Sequence, residues 1–403
     1  MKNISGLCVK KLISSIFLQG IEEANWRTKL GQIEALCSMA MFAPNQVAVH
    51  LPKVINSIRT ILLDTHPKVQ EAGQDALNKI TSAMRNQGRL NALAILEVHS
   101  EQIAKSSATE NLQKALDRLL DTNFVHSLDD PSLALLMPLI RDGLEAVNRK
   151  IQIKALRIIG CICHIISNPD SLMPYRKDIS LIMVGLLLTV HPKLRSASCK
   201  ALAGLIKGLG VKNGMGMCKW IGKQLRAASK ADSKNINFEY EEIDYGNMTV
   251  EEAWKEELEE ISIMCVDENS KHRVGGITLL ADFHRFISCF KNQKDCDLDF
   301  TEYINKVMPK FQNALLDTNE DVRTASVKGL KLCVETFGPD FPNLLFDQFL
   351  RGYKHGNYWI RYHTIVLVST LLHILGGNIH KIKILDEDSE TKVVERKCFD
   401  INL

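Results

Sequence analysis

With 403 residues, 45% of them hydrophobic, the chain can bury a sizeable apolar core yet exceeds the roughly 100–200 residues of one compact domain, so several domains or a repeat array are expected. Its 50 basic and 47 acidic side chains leave a net charge of +3, which excludes bulk charge as a reason to bind nucleic acid or membrane; only local clusters can make that case. Eleven cysteines, an odd number, are scattered without a disulfide framework and fit a reducing compartment.

Along the chain, Lys10 and Lys11 fall where a secretory leader needs an uninterrupted apolar stretch, so a cytoplasmic location is expected. Apolar residues at helical spacing predict helices over 26–42, 67–84, 111–120, 149–166, 192–209, 272–290, 320–336 and 358–375. The longest apolar run, 181–190, is about half of the ~20 residues that span a bilayer and reads as a buried helix, so no membrane partner is expected. Alternating β-branched runs bounded by turn residues do not stand out, which argues against a sheet.

Three segments align without gaps. They are Leu62-Leu63-Asp64-Thr65-His66-Pro67-Lys68-Val69-Gln70, Leu187-Leu188-Thr189-Val190-His191-Pro192-Lys193-Leu194-Arg195 and Leu315-Leu316-Asp317-Thr318-Asn319-Glu320-Asp321-Val322-Arg323. Each ends one helix, turns and begins the next. The apolar residue followed by Arg or Gln recurs at Leu112-Gln113, Ile151-Gln152 and Ile360-Arg361, with weaker copies at Thr28 and near His272. The period is roughly 40 residues, that of HEAT or armadillo units. A hairpin of two helices cannot bury its apolar faces alone, so stacked neighbours must build one continuous core. The fold class expected is therefore all-α, a HEAT-repeat α-solenoid. Pro67 and Pro192 suit the first turn of the second helix, where a missing N–H costs nothing. Asp64, Asp317 and Arg323 resemble the HEAT consensus acid and arginine, groups that stacked repeats join in a structural ladder.

The pattern fades between 211 and 265. A basic run, Lys207, Lys212, Lys219, Lys223, Arg226, Lys230 and Lys234, precedes an acidic stretch that includes Glu251, Glu252, Glu256, Glu257, Glu259 and Glu260. Two readings stand: a solvated insertion whose acidic part folds back on the basic part, or a basic face for ribosomal RNA. A polar interruption at 291–299 and a tail at 378–403 without helical periodicity complete the division. The domains expected are 1–210 and 266–377 as repeats, 211–265 as a degenerate repeat and 378–403 as a flexible tail.

Chemistry is hard to place. Gly208-Leu209-Gly210 through Gly214-Met215-Gly216 follows a helix and lacks the Lys-Ser or Lys-Thr of a phosphate loop, so it reads as a helix-ending turn. Cys161-Ile162-Cys163-His164 has no second ligand pair at metal spacing and reads as part of a buried helix. His66 and His191 occupy equivalent turns, where capping or packing explains their recurrence. No catalytic residues, metal ligands or cofactor are expected.

Beyond the repeat, Trp26-Arg27-Thr28-Lys29-Leu30-Gly31-Gln32-Ile33-Glu34-Ala35-Leu36 and Leu120-Asp121-Thr122-Asn123-Phe124-Val125-His126, followed by Asp130-Pro131-Ser132-Leu133-Ala134, carry a family likeness. They resemble the elongation-factor-three-like HEAT region of the general-control translational activators, and the likeness runs over about 15–377. The resemblance implies a non-enzymatic cytosolic scaffold on translating or stalled ribosomes, touching ribosomal RNA and ribosomal proteins. It also implies an ATP-binding-cassette partner and a relay to the kinase of initiation factor two alpha, whose docking region lies beyond the part matched. Two alternatives remain open: a HEAT-region fragment of an elongation-factor-three-type ABC ATPase, and a microtubule or transport adaptor. Tubulin-binding units would align Trp and Lys in successive intra-repeat turns, where this chain carries Asp-Thr-His-Pro, Thr-Val-His-Pro and Asp-Thr-Asn-Glu.

Overall fold

The computed structural model describes residues 12–13, 25–62, 64–83, 108–121, 128, 130–166, 168–189, 191–230, 240, 249–291, 293, 296 and 298–387. Within them lie fifteen α-helices: α1 Trp26–Phe42, α2 Pro44–Leu62, α3 Pro67–Ala83, α4 Ala108–Asp121, α5 Asp130–Glu145, α6 Arg149–Ile165, α7 Arg176–Leu187, α8 Pro192–Gly208, α9 Gly210–Lys230, α10 Val250–Cys265, α11 Ser270–Ser288, α12 Phe300–Ala314, α13 Glu320–Phe337, α14 Pro342–Tyr353 and α15 Tyr358–Glu387. Among the described residues no strand forms; Leu128 and Ile166 make an isolated bridge. The fold is all-α and of the HEAT-repeat α-solenoid class, as the 40-residue period requires.

The eight expected helices match α1, α3, α4, α6, α8, α11, α13 and α15 within a few residues, except at the end of α15. That helix runs on to Glu387, through Gly376-Gly377 and ten residues into the stretch where apolar periodicity is lost. Glycine costs a helix about 1 kcal/mol without forbidding its dihedrals. The run at 181–190 lies largely in α7, with Met183, Val184 and Leu187 buried and Leu181 and Leu186 half-buried. No helix among the described residues is long and apolar enough to cross a membrane.

The chain forms two compact units, one built on Met1–Gly204 and the other on Leu205–Arg396. In the first, α2 packs on α3 and α5 on α6 as hairpins, while α1 lies against α3 and α4 against α6. Stacking there is close: a Cβ added to Gly204 of α8 would lie 2.7 Å from the Gly160 carbonyl oxygen of α6, so the two backbones touch. In the second, the hairpins α10–α11, α12–α13 and α14–α15 stack second helix on second helix, α11 to α13 to α15. Its core carries the large aromatics Trp254, Phe283, Tyr303, Phe311 and Phe337, each under 2% exposed.

The turns inside the hairpins explain the recurring sequence pattern. In the second unit the same seven-residue device occurs three times, at Asp267–Arg273, Asp317–Arg323 and His355–Arg361. The first side chain accepts the N–H of the asparagine two residues on: Asp267 from Asn269 at 2.8 Å, Asp317 from Asn319 at 2.8 Å, His355 Nδ1 from Asn357 at 3.1 Å. That asparagine in turn caps the helix, accepting from Lys271, Asp321 or Trp359 at 2.8–2.9 Å. The arginine at the seventh place returns Nη1 to two carbonyls of its own turn, at 2.7–2.9 Å. The apolar residue before it, Val322 or Ile360, is buried.

Neighbouring turns join through the ladder that the sequence suggests. Arg273 grips Asp317 with Nε and Nη2 at 2.6 and 3.0 Å, holding that carboxyl below the ordinary carboxylate range. In the first unit Lys29 reaches Asp64 at 2.7 Å and, with the His66 N–H, lowers its carboxyl likewise. There Gln70 replaces the returning arginine, donating to the Asp64 carbonyl at 2.5 Å. His66 and His191 stand where the other turns have the capping asparagine. His66 stacks on Trp26 with ring centroids 4.4 Å apart, and His191 Nδ1 accepts the Leu194 N–H at 3.4 Å.

Candidate functional site

The basic run begins on the last turn of α8 and continues along α9. Lys212, Lys219, Lys223, Arg226 and Lys230 are spaced at 7, 4, 3 and 4 residues, which sets them on one stripe of the helix. The stripe runs beside α10, and its middle is consumed there. Lys219 Nζ lies 2.6 Å from Glu256, and Arg226 pairs with both Glu257 and Glu260. Lys207, Lys212 and Lys223 are exposed. The side chain of Lys230 and the whole of Lys234 fall outside the described residues.

Glu257 is the unusual member, because its side chain is 1% exposed while that of Arg226 is 14%. Burial raises its carboxyl to about 7, against the pull of Arg226. Its site depends on Gly222, since a Cβ there would collide with the Glu257 carboxylate. Trp220, within the basic run, is 1% exposed and packs in the core.

The sequence pattern fades over 211–265, yet α9 and α10 are regular helices. The glycines that punctuate the pattern serve close packing: Gly214 sits against the Ile206 carbonyl and the Phe290 ring. Gly210, with φ of +78°, makes the turn between α8 and α9, while Gly214 and Gly216 lie inside α9. Thr249 and Glu252 form a reciprocal capping box that starts α10.

Cys161 and Cys163 lie on α6, with Cys163 buried and its thiol pushed up to about 12 by burial. His164 is exposed. Among the described residues no group of three His, Cys, Asp or Glu side chains is placed to hold a metal. His284, between Tyr303 and Phe337, is fully buried and held neutral, its imidazole lowered to about 3 by burial.

Repeated helical hairpins, capped second helices and a charged ladder from turn to turn define a HEAT-repeat protein. The model of the elongation factor 3/GNC1 HEAT repeat matches residues 111–215, and that of the EF3 N-terminal HEAT repeat matches residues 1–77. Residues 1–77 and 111–215 thus match HEAT-repeat models of the elongation factor 3 and GNC1 type. It is 30% identical over 378 residues to the human stalled ribosome sensor GCN1, covering 94% of this chain and 14% of that protein. The eIF-2-alpha kinase activator GCN1 of Saccharomyces cerevisiae is 26% identical, covering 97% of this chain and 14% of that one. Elongation factor 3 of Gonapodya prolifera is 26% identical over 166 residues, 41% of this chain and 15% of its own length. The chain thus spans about one seventh of the GCN1 relatives, and its likeness to them extends well past its likeness to elongation factor 3.

Proposed function

We propose that the chain is a non-enzymatic, ribosome-associated scaffold of the cytoplasm, part of the machinery that activates the kinase of initiation factor two alpha when ribosomes stall. The single observation that carries this reading is the similarity to GCN1 proteins over 94% of the chain, one of them described as a sensor of stalled ribosomes and another as an activator of that kinase. A stack of hairpins suits the role, because it offers long helical edges while ion pairs such as Arg273–Asp317 and Lys29–Asp64 hold its turns together. On this reading an ATP-binding-cassette protein acts as a partner, and kinase contact lies in a region of the longer relatives outside the matched part.

The ribosome-facing part of the basic run is then Lys207, Lys212 and Lys223, the members open to solvent. Lys219 and Arg226 serve the α9–α10 contact instead, so reversing them would test folding rather than binding. The test is co-sedimentation with ribosomes across a salt series, comparing the unaltered chain with a Lys207→Glu, Lys212→Glu, Lys223→Glu variant. Weaker pelleting of the variant at low salt, converging at high salt, is expected. Undiminished pelleting removes this surface, and an unaltered chain that stays in the supernatant removes the function.

A further inference from the structure

The outward face of α15 breaks the pattern of the helix stacked beside it. The corners that start α13 and α15 set the two helices in register, with Asn319 matching Asn357 and Arg323 matching Arg361. On α13, Glu320, Asp321, Thr324 and Lys328 are all exposed, although α11 and α15 both pack on that helix. The matching positions of α15 are Tyr358, Trp359, Tyr362 and Val366, which are 43–62% exposed. A polar face has become an aromatic one. Packing within the hairpin does not require it, because Ile360, Thr364, Leu367 and Leu371 turn the other side of the helix into the core.

A further hairpin stacked beyond α15 would not cover these residues either. α13 already has a neighbour in each direction of the stack and leaves the same four positions in water. Such a hairpin would instead cover Ile365 and Leu372, also exposed, whose counterparts on α13 are the half-buried Val327 and the buried Val334. The aromatic face therefore answers to something other than the repeat. Single exposed apolar residues are ordinary on a protein surface, but a contiguous cluster rich in Tyr and Trp marks a place of association.

Two features describe the partner. The rings pack on one another: Tyr358 lies on Tyr362 with centroids 6.2 Å and planes 26° apart, Trp359 lies on His363 at 5.9 Å and 16°, and Trp359 meets Tyr362 at 89°. Their faces are thus partly occupied. Ring edges and the Val366 methyls form a ridged apolar strip, which suits the interdigitating side chains of a helix better than flat bases. The charge beside the strip has mainly one sign. Over 342–375 the single acid Asp347 stands against Arg351, Lys354 and Arg361, and the corner carries His355 where the other two carry an aspartate. Arg351 and Lys354 are exposed at the end of α14, beside the corner from which Tyr358 starts, and neither has an ion pair among the described residues.

We propose that the face of α15 formed by Tyr358, Trp359, Tyr362 and Val366 docks an amphipathic helix of a partner protein, whose acidic residues meet Arg351 and Lys354 at one end. The experiment uses the whole chain and labelled probes followed by fluorescence anisotropy. The probes are an amphipathic helical peptide of leucine and glutamate, a scrambled peptide of the same composition, a leucine and lysine counterpart, and a short RNA of mixed sequence. The acidic amphipathic peptide should bind tightest. A Trp359→Asp, Tyr362→Thr, Val366→Lys variant gives α15 the residues that α13 carries at the same places and leaves the net charge unchanged. It should bind that peptide at least about tenfold more weakly, with its thermal melt, followed by circular dichroism, unmoved. Arg351→Ala with Lys354→Ala should weaken binding about threefold at low salt and flatten its salt dependence. Equal binding by the parent and the triple variant overturns the proposal, as does a scrambled or lysine peptide held as tightly as the acidic one. RNA bound in preference to every peptide, and lost in the triple variant, assigns the face to nucleic acid and overturns it too. A chain that holds none of the probes does the same.

Discussion

The two units build the same turn with different donors. In the second unit each arginine of the turn device is spent internally, on the carbonyls of its own turn, and Arg273 also on Asp317 of the next. In the first unit the corresponding bonds are made by Gln70 and Lys29, and Arg27 and Lys68 lie over the Trp26 ring. A repeat thus needs its capping hydrogen bonds but not any particular charge beyond them.

The largest effect should come from a cation that is consumed. Arg226→Met strips the partner from the buried Glu257 and should cost about 3 kcal/mol at pH 8, measured by urea denaturation. The sign with pH is fixed by the raised carboxyl. A group that ionises near 4.5 when unfolded and near 7 when folded weakens the fold as pH rises through that window. Removing the arginine extends the penalty upward, so the deficit should shrink as pH falls toward 6. A pH-independent deficit would show that Arg226 acts through packing alone.

A smaller effect separates the two ladders. Asp317→Asn loses a two-bond grip by Arg273, whereas Asp64→Asn loses one bond from Lys29, so the first should lower the thermal midpoint further. Both carboxyls are depressed in the folded chain. Their contribution is therefore present above an unfolded pKa of about 3.9 and fades as pH falls through the folded value, where variant and parent should converge. Equal shifts at neutral pH would break the contrast between the units.

The smallest effect has the opposite sign. Replacing Lys68, Lys150 and Lys193 by Glu puts acids at helix starts and should stabilise the fold by about 0.5 kcal/mol each at low salt, visible as a raised melting point.

Much of this fold is readable from residue order. Helix starts at Trp26, Pro67, Arg149, Pro192, Glu320 and Tyr358 follow from local spacing and capping chemistry, which tertiary packing does not override. The acid–base ladder is foreshadowed at Asp64 and Asp317, whose partners, Lys29 and Arg273, occupy weak copies of the motif. The helices α9 and α10 are harder to see because their core contains glycines and a carboxylate. Gly214 and Gly222 look like breakers until the neighbours that need the space are in place, and Glu257 looks like part of a wet face until Arg226 meets it.

The seven-residue turn device of the second unit bears on how such a chain changes over generations. Each copy is stitched by residues inside it, and the device recurs, with His355 in place of the aspartate in the last copy, although the hairpins between copies differ in length. The corner is therefore independent of the arms it joins. Duplication of a hairpin carries its corner along complete, and an insertion such as the stretch between α11 and α12 lengthens an arm without unpicking a joint. A protein assembled from parts that close on themselves can gain or lose repeats one at a time, with only the facing apolar surfaces left to adjust.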